Sequence, residues 1–150
     1  MAGSLEFIKS ASGSTVSSLS VTDCFSADYD IYQVTVTTLQ TSTSANIDVR
    51  FIDTGGVVST STYDEAILIL PSNTGFSTIK NTGQTSIGGI SFGNGASTGA
   101  SINMMVFNPN DSSSYTFLTD QSNAWTGVLQ AYKGIGVEKT AQTITGINFF

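Results

Sequence analysis

Histidine is absent from these 150 residues, cysteine occurs once, proline twice, and lysine and arginine together five times. Each shortage removes a class of function. Without His the commonest general base and metal ligand is missing, and with it the Ser-His-Asp and Cys-His arrangements of many hydrolases. A lone Cys24 neither closes an intrachain disulfide nor builds a zinc site. Lys9, Arg50, Lys80, Lys133 and Lys139 are scattered singly against 11 Asp and Glu, for a formal net charge of -6. Phosphate binding needs a positive stripe, so nucleic acid is not an expected partner. No apolar run approaches the roughly 18 residues of a membrane span. "MAGSLEFIKS" has neither the basic nor the long apolar region of a signal peptide. The expectation is synthesis in a cytoplasm, with no membrane partner.

Phosphate loops are missing as well: there is no GxxxxGK[ST] and no GxGxxG opening a helix. "GGISFGNG" is glycine-rich, but it stands in a strand context with no basic residue beside it. Carboxylates remain, as Asp23, Asp28 and Asp30 in one stretch and as the adjacent Asp64 and Glu65. A glycosidase pair in a cleft and a calcium site built on Asp28-x-Asp30 are the sharp readings. The plainer one, preferred here, makes them acceptors for free backbone N–H groups at turns and strand edges. Trp125 and the tyrosines could stack on sugar rings if several shared a face, whereas a lone Trp in a sandwich is expected in the core. No catalytic residue, metal or cofactor is therefore expected, and the chain does not read as an enzyme.

Polarity comes instead from Ser and Thr, about three residues in ten, while charged residues make up 11%. The apolar pattern alternates with period two. In "DIYQVTVTTL", Tyr32, Val34 and Val36 oppose Gln33, Thr35 and Thr37; in "ANIDVRFID", Ile47, Val49 and Phe51 oppose Asp48 and Arg50, which should pair weakly on the exposed side. "SLEFIKS", "TVSSLSV", "AILIL", "TSIGGISF", "INMMVF", "YTFLT", "GVLQAYK" and "TITGINFF" add further strands. Turn chemistry separates them at "DTGG" (53–56), "SNTG" (72–75), "KNTG" (80–83) and "GNG" (93–95). A helical turn is expected only near "STYDEA". The sum is an all-β chain: one antiparallel β-sandwich, jelly-roll-like, of about eight to ten strands over residues 1–150.

Besides Met104-Met105-Val106-Phe107, a continuous apolar run that is either buried or in a subunit contact, two surfaces stand out. "AILIL" is apolar at every position and "TITGINFF" closes on two phenylalanines, so Ile67, Leu68, Ile69, Leu70, Phe149 and Phe150 are candidates for an assembly interface if they are not simply buried. The tip Asn108-Pro109-Asn110-Asp111 reads as a hairpin connection. Any role for Asn108, Asn110 and Asp111 would be contact at a rim.

"LEFIKSASGSTVSSLSVTDCFSADYDIYQVTV", "ANIDVRFIDTGG" and "INMMVFNP…SYTFLT" resemble the small β-sandwich virion proteins of tailed bacteriophages, marine ones especially. The resemblance covers most of the chain in texture and strand phrasing and brings no catalytic motif. It implies a structural role on the virion surface after synthesis in the host cytoplasm: capsid decoration, or alternatively a tail- or head-fibre module that binds a host glycan. It also implies partners among other virion proteins, and a homo-oligomer of which a trimer is one closed form. Chains of that kind often run one strand further than Phe150, which leaves open how the last sheet edge closes.

Overall fold

The alternation becomes two antiparallel sheets packed face to face. The structure, a computed structural model, describes residues 5–42, 45–92 and 99–150, and of residues 89–92 the backbone alone. Among the described residues there are eleven strands and no helix: β1 (Leu19–Val21), β2 (Ile31–Leu39), β3 (Ala45–Asp53), β4 (Gly56–Val57), β5 (Tyr63–Pro71), β6 (Ser77–Gln84), β7 (Ile87–Phe92), β8 (Ala100–Phe107), β9 (Thr116–Trp125), β10 (Leu129–Glu138) and β11 (Ile144–Phe149). One sheet runs β1-β11-β3, with β4 and β7 sharing the far side of β3. The other has the order β2-β8-β9-β10-β5-β6.

Side-chain parity decides what is buried. In β9 every second residue faces in, Thr116, Leu118, Asp120, Ser122 and Ala124, and every intervening one faces solvent. Phe51, Ile102, Met104, Val106, Leu118, Ile144 and Ile147 fill the space between the sheets. Each such apolar side chain contributes about 1.5–3 kcal/mol. Tyr63 is buried with its hydroxyl satisfied: it accepts from Phe51 N and donates to Val58 O, each at 3.0 Å. Burial pushes that phenol well above its usual pKa.

Several local expectations give way to pairing. "STYDEA" enters β5 instead of a helical turn, because Tyr63, Glu65 and Ile67 alternate inward and β5 is bonded on both sides, to β10 and β6. "KNTG" lies inside β6 rather than at a turn; only Gly83, at φ 64°, keeps turn geometry, where the β5–β6 register slips. "SLEFIKS" forms no strand, since no described strand runs beside residues 5–10. "DTGG" and "SNTG" do connect strands, and "GNG" lies outside the described residues. The terminal strand β11 is paired on both edges, with β1 and with β3, and Phe150 exchanges backbone bonds of 3.0 and 3.1 Å with Asp48.

Candidate functional site

Parity splits the candidate interface at 67–70. Ile67 and Ile69 point into the sandwich, Ile67 with 4% of its surface exposed, and only Leu68 and Leu70 face outward. The stretch is thus half core, not a continuous contact surface. Phe149 packs against the core and the Phe150 ring lies under Arg50, 4.0 Å from the guanidinium carbon. Both are committed within the subunit.

The tip at 108–111 is a hairpin connection, as its composition implies, yet it is no free rim. Asn108 takes a positive φ of 54° and its N–H donates to Asp30 O at 2.7 Å. Pro109 is buried and its carbonyl accepts from Ile144 N at 2.7 Å. Asn110 Nδ2 lies between Phe25 O at 3.4 Å and Ile144 O at 3.3 Å. Asp111 alone remains exposed; Ser113 N and Oγ, at 2.8 and 2.7 Å, hold its carboxyl below the usual range. The loop is a clasp joining three distant segments.

Among the described strands none covers the outer face of the six-stranded sheet. Register aligns it in rows about 7 Å apart. The first row is Ile31, Phe107, Phe117, Val137, Asp64; the second is Gln33, Met105, Thr119, Ile135, Ala66; the third is Thr35, Asn103, Gln121, Lys133, Leu68. Ile31, Phe117 and Ile135 are 53%, 45% and 59% exposed. Between the second and third rows a groove of about 390 Å³ crosses the strands. One wall is apolar, with Met105, Ile135 and Ala66, and the other carries the amides of Asn103 and Gln121 with Lys133. Asp120 and Gly134, whose side-chain positions face inward, contribute its floor by backbone. Sequence reasoning singled out Leu68 and the run Met104–Phe107 but missed the surface they help form, because its residues come from five strands.

Behind that floor lie carboxylates in the core. Asp120 is 7% exposed and, among the described residues, makes no hydrogen bond through its carboxyl. Gly134 and Gly136 on β10 lack the side chains that would fill the space: a Cβ at Gly134 would collide with Asp120 Oδ1, and one at Gly136 would stand 2.6 Å from Ile87 Cδ1. Asp120 on β9 and Glu65 on β5 approach across this bare part of β10. Burial first, and the charge of Glu65 second, push Asp120 up to about 6. Glu65 is engaged from both sides: Oε1 accepts from Asn81 Nδ2 at 2.7 Å and Oε2 from Gly88 N at 2.5 Å. It lines a polar crevice of about 190 Å³ with Asp48, whose Oδ2 accepts from Ser86 Oγ at 2.8 Å. Those bonds tie β3, β5, β6 and β7 together at the open end of the sandwich. On the same strand as Asp120, Thr116 Oγ1 and Ser122 Oγ are buried with no hydrogen-bond partner among the described residues.

The other singled-out residues disperse. Asp48 and Arg50 do not pair: Arg50 Nε donates to Thr85 O at 2.9 Å. Asp64 faces outward and binds Lys139 at 2.8 Å, which with Gly83 N keeps its carboxyl below the usual range. Asp28 accepts from Ser26 Oγ at 2.9 Å. Among the described residues no group of three or more Asp, Glu or Cys side chains is placed to hold a metal ion. Trp125 is half-exposed at the far end of β9 from the 108–111 clasp, which corrects its expected place in the core. Tyr32, Tyr63 and Tyr132 are buried, so the aromatics do not gather on one face. Cys24 is buried, donates to Val21 O at 3.3 Å, and burial pushes its thiol up to about 11.

No protein-family model matches the chain, no curated protein matches it, and no solved structure matches it.

Proposed function

We propose that this chain is a non-enzymatic structural protein of a phage virion, a decoration protein seated on the capsid through the outer face of its six-stranded sheet. The observation that supports the reading is the exposure of Ile31, Phe117 and Ile135 on that face, beside a groove with one apolar and one amide wall. Covering such a face removes apolar area from water at about 25 cal/mol per Å². The amides and Lys133 give the contact direction, and the carboxylate of that face, Asp64, is paired with Lys139. Repetition over a shell would multiply a modest affinity per copy. Ser- and Thr-rich loops would face solvent.

Half-exposed Trp125, with Leu129 beside it across the hairpin, supports a second reading: a fibre-type module that stacks a host sugar. Co-sedimentation of labelled protein with isolated capsids, and separately with host cells, tests the two. Saturable capsid binding that Ile135→Asn abolishes, in a protein that stays folded, is the expected outcome. Binding only to cells, lost in Trp125→Ala, would replace decoration by receptor recognition.

A further inference from the structure

The chain has a second set of unpartnered apolar groups, far in sequence from the sheet face. Leu5 and Phe7 are 87% and 78% exposed, and Ile8 and Val16 are exposed too. These residues belong to an extended arm before β1 that joins neither sheet. Its root is fixed. Lys9 Nζ donates to Thr22 O at 2.7 Å, and Tyr29 donates its hydroxyl to the Glu6 carboxylate. The arm is therefore held out at one place on the molecule with its apolar side chains bare.

That place adjoins a free sheet edge. Tyr29 lies two residues before β2, and β2 is bonded only to β8 among the described strands. Its nine residues, "IYQVTVTTL", contain no charge and no proline. The opposite edge of the same sheet, β6, carries Lys80 and an irregularity at Gly83. Edge strands that must stay single are usually blunted by charge, proline, bulges or shortness. In the other sheet, β1 has three residues and β4 two. β2 has an irregularity of its own between Val36 and Leu39, with Thr38 at φ 56°, but over Ile31–Val36 it runs in unbroken register.

We propose that residues 5–9 of one copy add as a strand to the free edge of β2 in a second copy, and that the exchange is reciprocal. Because each arm passes Tyr29, two residues before its own β2, a two-fold axis along that edge brings each arm to the partner's β2. Backbone N–H and C=O groups of Ile31–Val36 gain partners, and alternate arm side chains gain apolar cover, as in strand addition generally. The facing strand is neutral and Glu6 and Lys9 offset each other, so the net charge of -6 does not oppose contact at this edge. This pairing concerns copies of the chain with one another and stands or falls apart from any shell they occupy.

Sedimentation equilibrium over a dilution series, combined with amide hydrogen exchange, tests it. The wild-type chain is expected to reach twice its 15.7 kDa. Leu5→Glu/Phe7→Glu, at two exposed positions, is expected to sediment as a folded single chain. Amides within Ile31–Val36 are expected to exchange at least about tenfold faster in that variant. A wild-type chain that stays single overturns the proposal. So does an arm variant that keeps the paired mass, or a pair whose β2 amides exchange no more slowly than those of the single chain.

Discussion

Asp120→Asn is expected to remove a pH dependence of stability that originates in the core. The carboxyl titrates near 6 in the folded protein against an ordinary value of 3.8. Its sign follows from proton binding. Below pH 4 the acid is neutral in both the folded and unfolded chains, so ionisation costs nothing. Between about 4 and 6 the unfolded chain releases the proton while the folded chain keeps it, and stability falls as pH rises. Above 6 both are ionised and the loss is complete. A shift of about two units corresponds to about 3 kcal/mol at 1.36 kcal/mol per unit. For a domain of this length that is roughly 6 to 12 °C in melting temperature. Asparagine has a similar shape and no charge. Its own unpaired amide costs about 1–3 kcal/mol, but at every pH, so it shifts the curve without tilting it. Denaturant unfolding at pH 4 and pH 7.5 measures the tilt, and carbon NMR of the Asp120 carboxyl reports its titration directly. Half-buried Asp64 and exposed Asp111, both held below their usual range, act below pH 4 and with the opposite sign. If wild type and Asp120→Asn lose the same stability between the two pH values, the carboxyl does not titrate inside the sandwich and the core account is wrong.

Two further outcomes follow from parity and from the clasp. Ile67→Asp places a charge at a core position and is expected to cost at least about 3 kcal/mol, unfolding the domain instead of releasing a folded single chain; circular dichroism distinguishes the two. Asn110→Ala removes the amide set against Phe25 O and Ile144 O and is expected to cost about 1–2 kcal/mol in denaturant midpoint, with the secondary-structure spectrum unchanged.

How much of this could be read in the sequence depended on whether the signal was local. Tyr32, Val34 and Val36 in β2, and Val49 and Phe51 in β3, alternate strictly, and both strands form as the pattern implies. Lys80-Asn81-Thr82-Gly83 has turn composition, but the pull of β5 along six registered pairs outweighs local preference. At Ile67 and Leu68 a wholly apolar run hides which residues face in, because parity needs polar punctuation to be visible. Asp120 was legible in principle: it follows Leu118 at inward parity, and "GIG" on β10 offers the space above it. The outer face was not legible. Ile31, Phe117 and Ile135 become neighbours only through a strand order that no local pattern specifies.

The place of β11 bears on how the chain folds during synthesis. Its six residues are made after those of the other ten described strands, yet they occupy the middle of their sheet, between β1 and β3. Until Ile144–Phe149 leave the ribosome, β1 has no hydrogen-bonded neighbour and one side of β3 is bare. The six-stranded sheet needs none of these residues and can assemble first, as a platform whose inner face waits for its cover. Phe51 and the inward side of Val106 and Leu118 stay wet during that interval, and nascent chains crowded on one message are at their most adhesive. Closure of the core thus waits for β11, and translation slowed just before Ile144 would lengthen the hazardous state more than a pause anywhere earlier.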